Sequence, residues 1–155
     1  MDRTKFPEER LILEGPGGRR LFPHLGSDFE VLAPSTEDYN CIAYSLGRLS
    51  VWINPQTGPE QNPFAAMDLL YQDLGFIRAG TLEVSLESGK RKVALYATLT
   101  SDGRIERITH AAAQETDGNW VSKLGQGPLI RHETPAAVSG PLFGEPVAVY
   151  VGEVL

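Results

Sequence analysis

Residues 105–124 read Ile105-Glu-Arg-Ile-Thr-His110-Ala-Ala-Ala-Gln114, then Glu115-Thr-Asp-Gly-Asn119, then Trp120-Val-Ser-Lys-Leu124. Asp117-Gly118 between the two runs is a strong hairpin signal, because glycine takes the positive φ that a tight turn demands. Two antiparallel strands follow, over about Ile105–Gln114 and Trp120–Leu124. With Asp117 and Gly118 as the two turn residues, Gln114 opposes Val121, Ala112 opposes Lys123 and His110 opposes Gly125. Directly opposed side chains share a face. This register points His110, Gln114 and Lys123 one way and Trp120, Ser122 and Leu124 the other, toward a core. A one-residue bulge would reverse the second strand and bring Ser122 toward His110.

Working outward, Lys92–Thr98 reads as a central strand, and Ser101-Asp-Gly-Arg104 turns the chain into the hairpin. Val147–Val151 is a further apolar strand, and Lys90-Arg91-Lys92 reads as a solvated strand entry. Pro63–Leu74 is the clearest helix: Asn62 can cap it, Pro63 suits the first position and Gly75 can close it. Its apolar face is Phe64, Met67, Leu70, Tyr71 and Leu74. A second helix runs from Cys41 to about Leu46, capped either from Ser35 or by Asn40, with Gly47 as its stop. Thr134-Pro135 opens a third, short one. Helices come first and hairpin-linked strands follow, so the expected class is α+β, N-terminal helices packed on an antiparallel sheet. Glu14-Gly-Pro-Gly-Gly18 marks off a charged N-terminal part. The expected organisation is an N-terminal segment, 1–33, packing on or flanking a single α+β domain, 34–155. Asn54–Pro63, rich in proline, reads as a surface loop.

The chain has 155 residues and a net charge of −6. An acidic balance argues against a partner held through its phosphates, so no nucleic acid is expected. No apolar run approaches the roughly 18 residues that span a bilayer, and Met1–Arg10 lacks the apolar stretch of a signal peptide. A single cysteine forbids an internal disulfide and fits a reducing, cytoplasmic setting, although export by a route without such a signal stays open.

Cys41 follows Asn40 at a helix start, where free amides favour a thiolate, the nucleophilic form. A free cysteine beside Ile42 and Ala43 is equally well a small buried hydrophobe. His110 sits among small alanines that leave space for another element, such as the helix of Cys41. A cysteine at a helix start facing a strand histidine is the layout of Cys–His general-base chemistry; a packed core histidine is the bland alternative. Asn40, Gln114, Ser122, Lys123 and His132 are candidates for an orienting or pocket role. Gln114 lies roughly 13 Å along the strand from His110, too far for a direct bond. His132-Glu133 reads most simply as a lead into the helix after Thr134. Metal-ligand spacings are missing, and the glycines at 15–18 lack the ending of a phosphate loop, so no metal or cofactor is expected.

Asp-Tyr-Asn-Cys-Ile-Ala-Tyr-Ser-Leu-Gly (38–47) followed by Trp52 resembles the opening of a widespread uncharacterised bacterial domain family. Lys92-Val-Ala-Leu-Tyr-Ala, His110-Ala-Ala-Ala-Gln114, Trp120-Val-Ser-Lys-Leu-Gly125 and Ile130-Arg-His132 resemble its later blocks in order, over roughly 38–151. Where that family carries Trp in the first block, this chain has Tyr44. The blocks are remotely similar to the papain-like NlpC/P60 and CHAP peptidases. That resemblance implies a papain-like fold with Cys41 as nucleophile and His110 as base. The next strand offers Ser122 or Lys123 in place of the usual third polar residue, which implies a Cys–His dyad. Two functions then compete. One is a cysteine-dependent acyl-transfer enzyme acting on a peptide, amide or glutamine side chain. The other is a non-catalytic protein-binding domain of immunity or adaptor type, whose Cys41 and His110 are structural.

Overall fold

The computed structural model describes residues 1–153. Among these, seven strands form one antiparallel sheet: β1 (Phe29–Ala33), β2 (Ile77–Arg78), β3 (Lys90–Leu99), β4 (Ile105–Gln114), β5 (Trp120–Lys123), β6 (Leu129–His132) and β7 (Glu145–Glu153). Their order across the sheet is β1-β6-β5-β4-β3-β7-β2. The class is α+β, with N-terminal helices packed against a large antiparallel sheet. The strands β3, β4 and β5 fall where alternation and turns placed them, because each lies beside a sequence neighbour through a short turn.

Each face of the sheet is buried. On one side, Leu13, Phe22 and Leu25 of the N-terminal segment pack with Phe29, Ala94, Tyr96, Ala112, Trp120, Val138 and Phe143. On the other, helices α3 (Cys41–Ser45) and α4 (Ala65–Gln72) lay Cys41, Ile42, Met67 and Tyr71 on Val93, Leu95, Ile108, Ala111 and Tyr150. Tyr71 stacks on Tyr150 with ring centroids 4.5 Å apart, and the Ser45 hydroxyl meets the Tyr71 hydroxyl at 2.6 Å, which satisfies both polar groups in the core.

Several expectations are corrected here. The N-terminal part is ordered as α1 (Pro7–Glu14) and α2 (Pro16–Leu21), followed by β1, which pairs with β6. The expected division after residue 33 therefore runs directly behind a strand of the sheet. Glycines disfavour helix, yet Gly18 lies inside α2 because the two helices touch there. A Cβ at Gly18 would stand 2.3 Å from the Leu13 carbonyl oxygen, so only glycine admits this approach. Lys92 is buried rather than solvated, its ammonium donating to the Glu83 carbonyl at 3.0 Å and to Glu87 at 2.8 Å. Helix α4 starts two residues later than read. The Pro63 carbonyl accepts from the Gly58 amide at 2.9 Å and is thus withdrawn from the helix. Leu74, past its end, is half exposed. After Thr134 the chain makes only a 3₁₀ turn, Pro135–Val138.

Candidate functional site

Three turn residues, not two, connect β4 to β5. The Gly118 amide donates to the Glu115 carbonyl and Gly118 sits at φ 90°, a type I turn closed by a left-handed glycine. Ala113 therefore opposes Val121 and Gln114 opposes Trp120. This one-residue difference overturns the two-residue register and realises the bulged alternative. Ser122 shares the His110 face, while Lys123 turns to the face of Cys41.

A second irregularity acts on β4 itself. Tyr96 pairs with His110 and its neighbour Ala97 pairs with Ile108, which leaves Thr109 as an extra residue. Across this bulge the alternation inverts. Ile108 and Ala111 pack under α3, and His110 and Ala112 look to the opposite side. The small alanines do admit α3, on the face of Ala111, but His110 stands on the other. The structure thus does not bring Cys41 and His110 together.

Cys41 opens α3, and Asn40 is its cap, as one of the two sequence readings held. The Asn40 Oδ1 accepts from the amides of Ala43 and Ile53, each at 3.1 Å, and its Nδ2 donates to the Ile53 carbonyl at 2.6 Å. One buried amide side chain therefore caps the helix and pins the loop beyond it. Replacing Asn40 by Ala is expected to cost about 1–2 kcal/mol, read as a lower urea midpoint with unchanged slope. The thiol is 5% exposed. Burial pushes it up to about 11; the amides of Ala111, Ile42 and Cys41 itself and the charge of Lys123 oppose this without winning. Desolvation at this depth outweighs a five-residue helix's dipole. Lys123 is fully buried, donating to the carbonyls of Thr36 at 2.7 Å and Gly125 at 2.6 Å, with its ammonium 5.1 Å from the Tyr39 ring centroid. Burial lowers its pKa, against the opposing charges of Cys41, Asp38 and Glu9.

What gathers around His110 is a buried polar chain that the sequence reading did not assemble. His110 Nε2 lies 3.0 Å from Ser122 Oγ, and Ser122 Oγ lies 2.8 Å from His132 Nε2. His132 Nδ1 is 2.8 Å from the Thr134 carbonyl oxygen. A carbonyl only accepts, so His132 carries its proton on Nδ1 and Nε2 is the acceptor. Ser122 must then donate to His132 and accept from the Nε2–H of His110. His110 Nδ1 is left buried without a partner. The imidazole stacks on Phe143 at 3.9 Å and 6°, and meets the edge of Tyr96 at 5.0 Å. Burial, with His132 nearby, holds His110 well below its ordinary pKa; burial also lowers His132 to about 4 against the pull of the Thr134 carbonyl. Both rings are therefore neutral at pH 7. The signal for this chain in the sequence is the alternation of Ser122 with Trp120, which sets a polar side chain on a core face.

Gln114, also buried, donates to the Val84 carbonyl at 2.9 Å and fastens the loop over the sheet. An open cleft of about 620 Å³ lies beyond Tyr44, floored by Ala113 and Val121; neither Cys41 nor His110 lines it. Among the described residues, no group of three or more His, Cys, Asp or Glu is placed to hold a metal, and no helix is long and apolar enough to cross a membrane.

The model of the family described as "Domain of unknown function (DUF7689)" matches residues 30–151. The chain belongs to this family. The match takes in all seven strands with the exception of Phe29 and the last residues of β7, so the sheet and both buried constellations are family territory, while α1 and α2 precede it. No curated protein and no solved structure matches the chain.

Proposed function

We propose that this is a non-catalytic protein-binding domain, of immunity or adaptor type, in which Cys41 and His110 hold the core. The observation that carries the reading is their placement, buried on opposite faces of one sheet, with the thiol pushed up to about 11. A thiol that must supply a thiolate near neutral pH needs a base within hydrogen-bond reach and a path for substrate. The net charge of −6 suits docking on a basic partner in a cytoplasmic setting. The papain-like resemblance fits a scaffold that keeps a cysteine at a helix start against an antiparallel sheet, with Ala111 and Lys123 on the strands facing it.

The acyl-transfer reading keeps one supporting observation, the Asn40-capped helix start whose amides favour charge on Cys41. One experiment separates the two. Iodoacetamide alkylation of the only thiol is expected to be negligible in the folded protein from pH 6 to 9 and rapid in urea. Fast alkylation of the native chain, with an apparent pKa below the usual value of about 8.5, would falsify the binding reading and restore the thiol enzyme.

A further inference from the structure

The connection from β6 to β7, residues 133–144, has to cross the sheet, because β5, β4 and β3 lie between the two strands it joins. Its regular structure is one 3₁₀ turn, Pro135–Val138, and a single bridge between Gly140 and Gly144. Three side chains of the sheet hold it down by its carbonyl oxygens. His132 donates to Thr134 at 2.8 Å, Tyr96 to Pro135 at 2.6 Å, and Thr109 to Phe143. Pro135, Val138 and Phe143 are its buried apolar anchors. The two ends of the crossing thus rest on the two buried histidines. Thr134 sits on the Nδ1–H of His132, and the Phe143 ring lies on the face of His110.

Between these ends the hydrogen-bond chain accommodates its present protons and no more. They are the Nδ1–H of His132, the Ser122 hydroxyl and the Nε2–H of His110, and each meets an acceptor. A further proton has two arrangements that keep the chain linked. In one it adds directly to His110 Nδ1. In the other His132 Nε2 is protonated and donates to Ser122, which donates to His110 Nε2 and leaves the His110 proton on Nδ1. Both end at the same atom, the buried His110 Nδ1, which has no partner. A charged donor stranded there is stable only once water reaches it, and Phe143 covers the ring. The other groups packed against the pair give no relief. From β3, Tyr96 has its hydroxyl committed to Pro135, and from β5 come only Ser122 and Trp120. From β1 comes Phe29, with the cationic Arg10 of α1 4.1 Å over its ring and already paired with Glu14. From α2 comes Phe22, 5.6 Å from Phe143. Glu133 and His24 are exposed. The opposite layer, under α3 and α4, holds no histidine, since the three in the chain are His24, His110 and His132.

We infer that residues 133–144 are an acid-released cover: one proton taken up by the His110–Ser122–His132 chain lifts Phe143 and the crossing from the sheet, while the sheet and the layer of α3 and α4 stay folded. Phe22 loses its contact with Phe143 in the same step, so the end of α2 loosens with it. The inference is independent of the part assigned to Cys41.

Hydrogen exchange of the full chain at pH 7 and pH 5, resolved by segment and corrected for the intrinsic rate, is the test. Residues 133–144 are expected to lose protection at least about tenfold more than β3 and α4. His110→Gln keeps an N–H for Ser122, offers an oxygen that can accept its hydroxyl, and takes up no proton. It is expected to abolish the selective loss and to leave the pattern at pH 7 unchanged. Phe143→Leu, which only thins the cover, is expected to raise exchange across 133–144 a few-fold at pH 7. Equal loss of protection in every segment overturns the proposal, as does no loss at all. So does a selective loss that survives in His110→Gln. Should that variant not fold, a Phe143→Leu chain whose 133–144 exchange matches the wild type overturns it equally.

Discussion

Lowering the pH from 7 to 5 is expected to remove at least about 2 kcal/mol of folding stability, through two buried histidines. His110 and His132 are buried neutral, each with its folded pKa below the unfolded value of about 6.5. For His132, between 6.5 and about 4 the unfolded chain binds a proton that the folded one refuses, and His110 acts in the same direction. The stability these groups confer is therefore complete above about 6.5 and is lost as pH falls through that window. At pH 5 the His132 ring costs about 2 kcal/mol, set by the distance from 6.5 and by its folded value of about 4, and His110 adds a loss of the same sign. Only the Thr134 carbonyl opposes this, at His132, and burial outweighs it. The groups facing the pair are Ser122, the Tyr96 and Phe143 rings and the Thr134 carbonyl, with no carboxylate among them. A domain of this size is stable by only about 5–15 kcal/mol, so the effect is a large share of the whole. Urea midpoints at the two pH values check it, and equal midpoints would refute the neutral assignment.

The second large effect is expected from one hydroxyl. Ser122→Ala removes the middle of the chain and strands two buried groups, the Nε2–H of His110 and the Nε2 lone pair of His132. Each unsatisfied group costs about 1–3 kcal/mol, so a loss of about 2–6 kcal/mol is expected, far above an ordinary serine truncation. The asymmetry is the point. A hydrogen bond gained on folding is worth little net, because water offered the same bond, whereas a donor stranded in an apolar core has lost it outright. Denaturant unfolding at pH 7 measures the loss; a change under about 1 kcal/mol would overturn the proton order derived for the chain.

The fold class was legible in the sequence because its signals are local. Alternation in β3, β4 and β7, the Asp117-Gly118 turn and the 3.6-residue spacing of Met67 and Tyr71 each act within a few residues of one another. The Asn40 cap and the helix of Cys41 were legible for the same reason. Strands β1, β2 and β6 were not, nor were α1 and α2. Phe29–Ala33 is a strand because β6 lies beside it, a hundred residues away, and Pro16–Gly18 is helical because Leu13 packs on Gly18. Propensity gives way in both places to contacts that do not exist until the chain is folded.

For the candidate residues the division is sharper. The sequence by itself determined which groups were available: one thiol at a helix start, histidines at 110 and 132, a serine and a lysine side by side on a short strand. Only the tertiary structure decided which of them meet. In a strand the side chain's face depends on whether the count of residues is odd or even, so one extra residue exchanges the two sides. Thr109 bulges out of β4 and the β4–β5 turn takes three residues, and these two events send His110 and Ser122 to one face and Lys123 to the other, over which α3 lays Cys41. Composition and spacing survive such a shift unchanged, whereas partnership does not. That is why the residues could be named in advance and their company could not.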